Sequence, residues 1–101
     1  MDQSQFQSYI LNRIPDEEKS IYQTMRHLDH SDKQILWKLI KDSNKENVAI
    51  YKGNQSTLNG LLNKRLIDIN RAYKTKGPEI SLFVLNRAPY LMRVLKREYL
   101  S

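Results

Sequence analysis

Between Asn47 and Leu85 the apolar residues of this chain switch from two-residue spacing to helical spacing and back, and that switch limits what it can fold into. Asn47 to Lys52 alternates, with Val48, Ile50 and Lys52 on one side and Ala49 and Tyr51 on the other, as a short strand does. Leu58, Leu61 and Leu62 then recur at helical spacing up to about Lys64, and Asn54 or Ser56 can cap that helix. Leu66 to Arg71 alternates again, with Ile67 and Ile69 on one face. Ile80 to Leu85 is rich in strand formers. The last two runs flank a basic turn, Tyr73 to Glu79, that contains Gly77-Pro78, so residues 66–71 and 80–85 are expected to pair antiparallel. The expected class is α+β, with a small three-stranded antiparallel sheet.

The flanking segments read as helices. Phe6, Tyr9, Ile10 and Ile14 share one side of a first helix over residues 3–13, and Pro15 stops it. Pro15 also suits the first position of a second helix, whose positive N-terminal end is matched by Asp16, Glu17 and Glu18. Its apolar stripe is Ile21, Tyr22, Met25 and Leu28. Ser31 and Gln34 fit a capping box for a third helix that buries Ile35, Leu36, Leu39 and Ile40. Trp37 points roughly 130° away from that face and is expected to pack on the N-terminal helices through Phe6, Tyr9 or Tyr22. A fifth helix runs from Arg87 or Pro89 to Leu100, with Leu91, Met92, Leu95 and Tyr99 on one side and Arg93, Lys96 and Arg97 on the other.

The stretch Ser56-Thr57-Leu58-Asn59-Gly60-Leu61-Leu62-Asn63-Lys64-Arg65-Leu66-Ile67, followed by a basic hairpin, resembles the recognition helix and first wing strand of winged-helix proteins. A second resemblance covers residues 31–100. Ile35-Leu36-Trp37-Lys38-Leu39-Ile40, Val48-Ala49-Ile50, Leu58 to Ile67, Phe83-Val84-Leu85-Asn86, Pro89-Tyr90 and Tyr99-Leu100 look like the soluble region of phage super-infection exclusion protein B and its relatives. The first resemblance implies a helix that enters the major groove and a wing that touches phosphates. Residues 31–101 would form the winged-helix-like domain, and residues 1–30 a helical extension that could serve as a dimerisation arm. The chain departs from the winged-helix pattern at one place. Only Gly53-Asn54-Gln55 separate Lys52 from the fourth helix, which leaves no room for a full positioning helix.

Chemistry follows from inventory. The 101 residues hold 17 Lys+Arg against 11 Asp+Glu, a formal charge of +6 that favours anionic partners and also serves solubility. There is no cysteine, hence no disulfide and no thiolate metal site, and a reducing, cytoplasmic setting is expected. No apolar run approaches the roughly 20 residues of a bilayer span, so no membrane insertion is expected. His27 and His30 stand near Asp29 and Asp32, but no further ligand completes a zinc set. No phosphate loop, nucleophile motif or paired carboxylates are present, so no catalysis and no cofactor are expected.

The expected function is reversible binding of double-stranded DNA by a small regulatory or phage-related protein. Gln55, Ser56, Asn59 and Asn63 would meet base edges, since an Asn can pair with adenine through two hydrogen bonds. Gly60 shares that outer face, and a Gly inside a helix calls for a close packing or docking contact. Arg71, Lys74 and Lys76 on the turn, with Arg93, Lys96 and Arg97, would supply charge to phosphates. Both faces also fit a plain solvated surface. The alternative is a protein-interaction module, such as a phage-encoded inhibitor of a host protein, with an acidic partner.

Overall fold

The computed structural model describes residues 3–72 and 77–99, with side chains described from 7 to 72 and from 77 to 98. The expected basic turn therefore lies partly outside the described residues, and Lys74 and Lys76 lie wholly outside them. In chain order the elements are α1 (Gln3–Arg13), α2 (Asp16–Arg26), α3 (His30–Asp42), β1 (Val48–Lys52), a 3-10 turn (Gln55–Leu58), α4 (Asn59–Asn63), β2 (Ile67–Ile69), β3 (Glu79–Val84) and α5 (Pro89–Tyr99). The class is α+β, as the change of spacing requires. No helix among the described residues is long and apolar enough to cross a membrane.

The sheet order is β1-β3-β2, with both pairings antiparallel. Val48 faces Phe83 and Lys52 faces Glu79 across one ladder, while Ile67 faces Val84 and Ile69 faces Leu82 across the other. The expected pairing of the last two runs is present, though β2 is shorter than its alternation. β3 is central, and half of its six residues, Ser81, Leu82 and Val84, are buried.

α3 begins earlier than the Ser31–Gln34 spacing predicts. Asp29 is its N-cap and accepts the Asp32 N–H at 2.9 Å, while the Ser31 hydroxyl, already inside the helix, donates to the same carboxylate oxygen at 3.1 Å. A carboxylate at this position both satisfies a free N–H and meets the positive helix end, so it outcompetes the serine. These two bonds, the Asp32 N–H first, hold the Asp29 carboxyl below the ordinary carboxylate range.

The N-terminal helices share the main core. Ile10 and Ile14 of the first segment and Tyr22, Met25 and Leu28 of the second stand in one buried cluster with Leu36, Ile40, Leu61, Leu82, Leu91, Met92 and Leu95. Two polar contacts fix them on α5. The Tyr9 hydroxyl donates to Glu98 at 2.8 Å. Glu18, only 2% exposed, accepts the Leu91 N–H at 2.7 Å and the Tyr90 N–H at 3.3 Å. Those bonds complete the start of α5: Pro89 has no N–H, and the Met92 N–H already reaches the Ala88 carbonyl at 2.9 Å. Trp37 is half-buried against the core. Its expected partner Phe6 has no described side chain.

Candidate nucleic-acid interface

The fourth helix is assembled in two pieces. Asn54 caps the 3-10 turn by accepting the Ser56 N–H on its side chain at 3.0 Å, and its carbonyl takes the Thr57 hydroxyl at 2.7 Å. The Tyr51 hydroxyl lies 2.6 Å from the Thr57 oxygen, tying the end of β1 to the turn. The Tyr51 ring covers Gly53, where an added Cβ would sit 3.0 Å from the ring. Leu58 and Leu61 are fully buried and fix how the segment is rotated. Its far end closes in a Schellman motif: the Leu66 N–H reaches the Leu61 carbonyl and the Arg65 N–H the Leu62 carbonyl, both at 3.0 Å. Arg65 takes the left-handed position there, with φ 58°, where glycine is usual.

This places Gln55, Ser56, Asn59 and Asn63 at the surface, all exposed. From Ser56 to Asn63 the row runs about 12 Å, using ~2.0 Å per 3-10 residue and ~1.5 Å per α residue. Gly60 does not belong to that open face. It is turned onto α3, where a Cβ would lie 2.5 Å from a carboxylate oxygen of Asp32. The glycine is explained by close packing of two helices, and the outer row consists of Gln55, Ser56, Asn59 and Asn63 alone.

Arg71 is exposed just beyond β2. Asn70 anchors that turn. Its N–H donates to the Ser81 carbonyl at 2.8 Å, its side-chain amide to the Ser81 hydroxyl at 3.3 Å, and its side-chain oxygen accepts the Ala72 N–H at 3.2 Å. Lys52, at the same end of the sheet, pairs with Glu79 at 3.6 Å.

Arg93, Lys96 and Arg97 stand elsewhere. With Lys45, Asn47 and Pro89 they line an open groove of about 440 Å³ between α5 and the α3–β1 loop. Lys96 donates to the Asn44 carbonyl at 2.9 Å and to the Ser43 carbonyl at 3.3 Å, so it closes the negative end of α3. The Arg93 guanidinium lies 5.7 Å from the centre of the Tyr90 ring.

The eight described residues of the ten singled out in the sequence thus do not form one surface; Lys74 and Lys76 lie outside the described residues. The row beside Gly60 lies at the start of α3, over Asp32, and the α5 groove lies at its end, beside Ser43. Those points are about 16 Å apart at ~1.5 Å per residue. The sheet shows the same separation for the hairpin alone: Lys52 and Glu79 mark the hairpin end, Asn47, whose carbonyl accepts the Val84 N–H, marks the groove end about 17 Å along β3, and the Lys64-Arg65 turn before β2 stands at that groove end because Ile67 pairs with Val84. Lys45 and the exposed pair Lys64 and Arg65 were not among the residues expected at the site. Lys45 joins Arg93 only through the fold. Lys64 and Arg65 carried a signal, since they directly follow the polar row.

Comparison with protein families, with curated proteins and with solved structures gives no match for this chain.

Proposed function

We propose that this chain is a non-catalytic, winged-helix-like protein of the cytoplasm that binds double-stranded DNA reversibly, in a regulatory or phage-related role. The observation that carries the proposal is the exposed row Gln55, Ser56, Asn59 and Asn63, anchored by the buried Leu58 and Leu61 and containing no carboxylate. A helix preceding β2, the β2–β3 hairpin and the β1-β3-β2 order fit the layout the winged-helix resemblance implies. The row would face base edges in the major groove, where Asn and Gln pair with adenine and Ser accepts or donates. Arg71, with Lys74 and Lys76 of the same turn, would meet phosphates, and Lys64 and Arg65 flank the row with further charge. The α5 cations lie at the other end of the sheet from Arg71, and the proposed contact does not use them.

Variants separate the two roles. Asn59→Ala reduces discrimination at one base position by about 1–3 kcal/mol if the contact is bidentate. Arg71→Ala weakens binding to all sequences alike and flattens the salt slope by about 0.9. Both side chains are exposed, so neither change should shift stability by more than about 0.5 kcal/mol. Equal losses for every sequence with Asn59→Ala would remove the row from base recognition.

A protein-interaction role has one specific observation behind it. Among the described residues β1 is a sheet edge, with β3 as its one partner strand, and it carries Ile50 at 38% exposure. Such an edge can add a strand from another protein.

A further inference from the structure

We propose that the α5 groove is a second nucleic-acid site, which takes the phosphate backbone of a separate duplex, so that one chain can join two DNA segments. This rests on the proposed function for the first segment and extends it. Four of the six described residues that line the groove are cations: Lys45, Arg93, Lys96 and Arg97. Among the described residues no carboxylate lines it. Glu46 belongs to the same loop but not to the lining.

The shape favours an extended polyanion. Pro89, Arg93 and Arg97 recur every four residues along α5, which puts the two arginines about 6 Å apart along the helix axis. That is a row laid along a trough rather than a pocket closed around one ion. Lys96 adds a charge fixed by its bonds to the Ser43 and Asn44 carbonyls, which are themselves at the end of α3. A protein partner is the poorer fit, because stable protein interfaces have an apolar centre and Pro89 is the one apolar residue among the described lining. The site is separate because Gly60, in the middle of the row, sits over Asp32 at the start of α3, about 16 Å along that helix from Ser43 beside the groove.

Co-capture tests it. A duplex is immobilised, the protein is added at low salt, and retention of a second, fluorescent duplex is measured beside binding of a single duplex in solution. The wild type retains the second duplex. The double variant Lys45→Gln with Arg93→Gln loses retention to the level without protein, while its single-duplex binding stays within about threefold of wild type, since long-range attraction falls only modestly with two charges. Lys19→Gln with Arg26→Gln removes the same charge from α2, outside the described groove lining, and keeps retention. Circular dichroism melts confirm that all variants are folded. Retention that survives the groove variant overturns the proposal and points to two copies of the chain as the bridge. A wild type that binds one duplex but retains no second one also overturns it, with the first site intact. If the groove variant loses single-duplex binding altogether, the groove is the primary site and the two-site assignment fails. If the wild type binds no duplex at all, the proposed function fails and takes this inference with it.

Discussion

Replacing Glu18 by alanine removes the one side chain that completes the start of α5, and the structure sets the size of the loss. Two N–H groups lose a charged acceptor, that of Leu91 in a buried position and that of Tyr90 in a partly buried one. A hydrogen bond to a charged group contributes about 1.5–3 kcal/mol, and a buried N–H left without a partner costs about 1–3 kcal/mol. The Tyr90 N–H can turn to water, and removing a buried carboxylate also recovers part of its desolvation cost. The net expectation for Glu18→Ala is a loss of about 2–3 kcal/mol. At roughly 4–8 °C per kcal/mol for a domain of this size, Tm falls by about 10–20 °C. Glu18→Gln keeps one oxygen to accept but turns an NH2 group toward the second N–H, so it costs about half as much. Glu17→Ala, exposed on the same turn, should stay within about 0.5 kcal/mol. Urea unfolding followed by far-UV circular dichroism measures all three. A Glu18→Ala variant within about 0.5 kcal/mol of wild type would refute the idea that Glu18 joins α2 to α5.

Two other perturbations address the start of α3 and the seat of α4. The Asp29 carboxyl has a lowered folded-state pKa, so its contribution is present above the ordinary value of 3.8 and is lost as pH falls through the lowered value. Asp29→Ala should therefore melt below wild type at neutral pH, with the gap closing only in strong acid; a gap that stays constant down to that range would contradict the cap. Gly60→Ala should gain about 1 kcal/mol of helix propensity but must displace the Asp32 carboxylate. The substitution should thus be more favourable in an Asp32→Ala background by about 0.5–1 kcal/mol in a double-mutant cycle, and strict additivity would mean the two residues do not press on each other.

The strands were legible because alternation survives folding. Val48 to Lys52 and Ile80 to Leu85 are read directly from side-chain period and β-branched content, and the sheet follows from their pairing. Caps were less legible, since Asp29 and Ser31 are both good cap residues two positions apart and only the backbone shows which one is used. Glu18 looked like one of three acids at a helix start. A signal was there: it stands three and four residues before Ile21 and Tyr22, in line with the stripe Ile21, Tyr22 and Met25, so it had to turn inward. Gly60 was placed on the correct helix but assigned to the wrong side, because the approach of α3 is a tertiary contact. The division of the basic residues between two ends of the domain has no local signature at all. Lys45 and Arg93 meet only because α3, the sheet and α5 are stacked with those ends together.

The central claim, that an exposed polar row beside a basic hairpin engages duplex DNA, is tested most directly by titrating salt against binding to random-sequence duplex. The account predicts measurable binding at low salt, with log K falling linearly in log salt at about 0.9 per phosphate contacted. Arg71, Lys74 and Lys76 together with Lys64 and Arg65 would give a slope of about −3 to −5. Absence of duplex binding even at low salt, where attraction is screened least, would contradict it and leave the β1 edge as the surface to test.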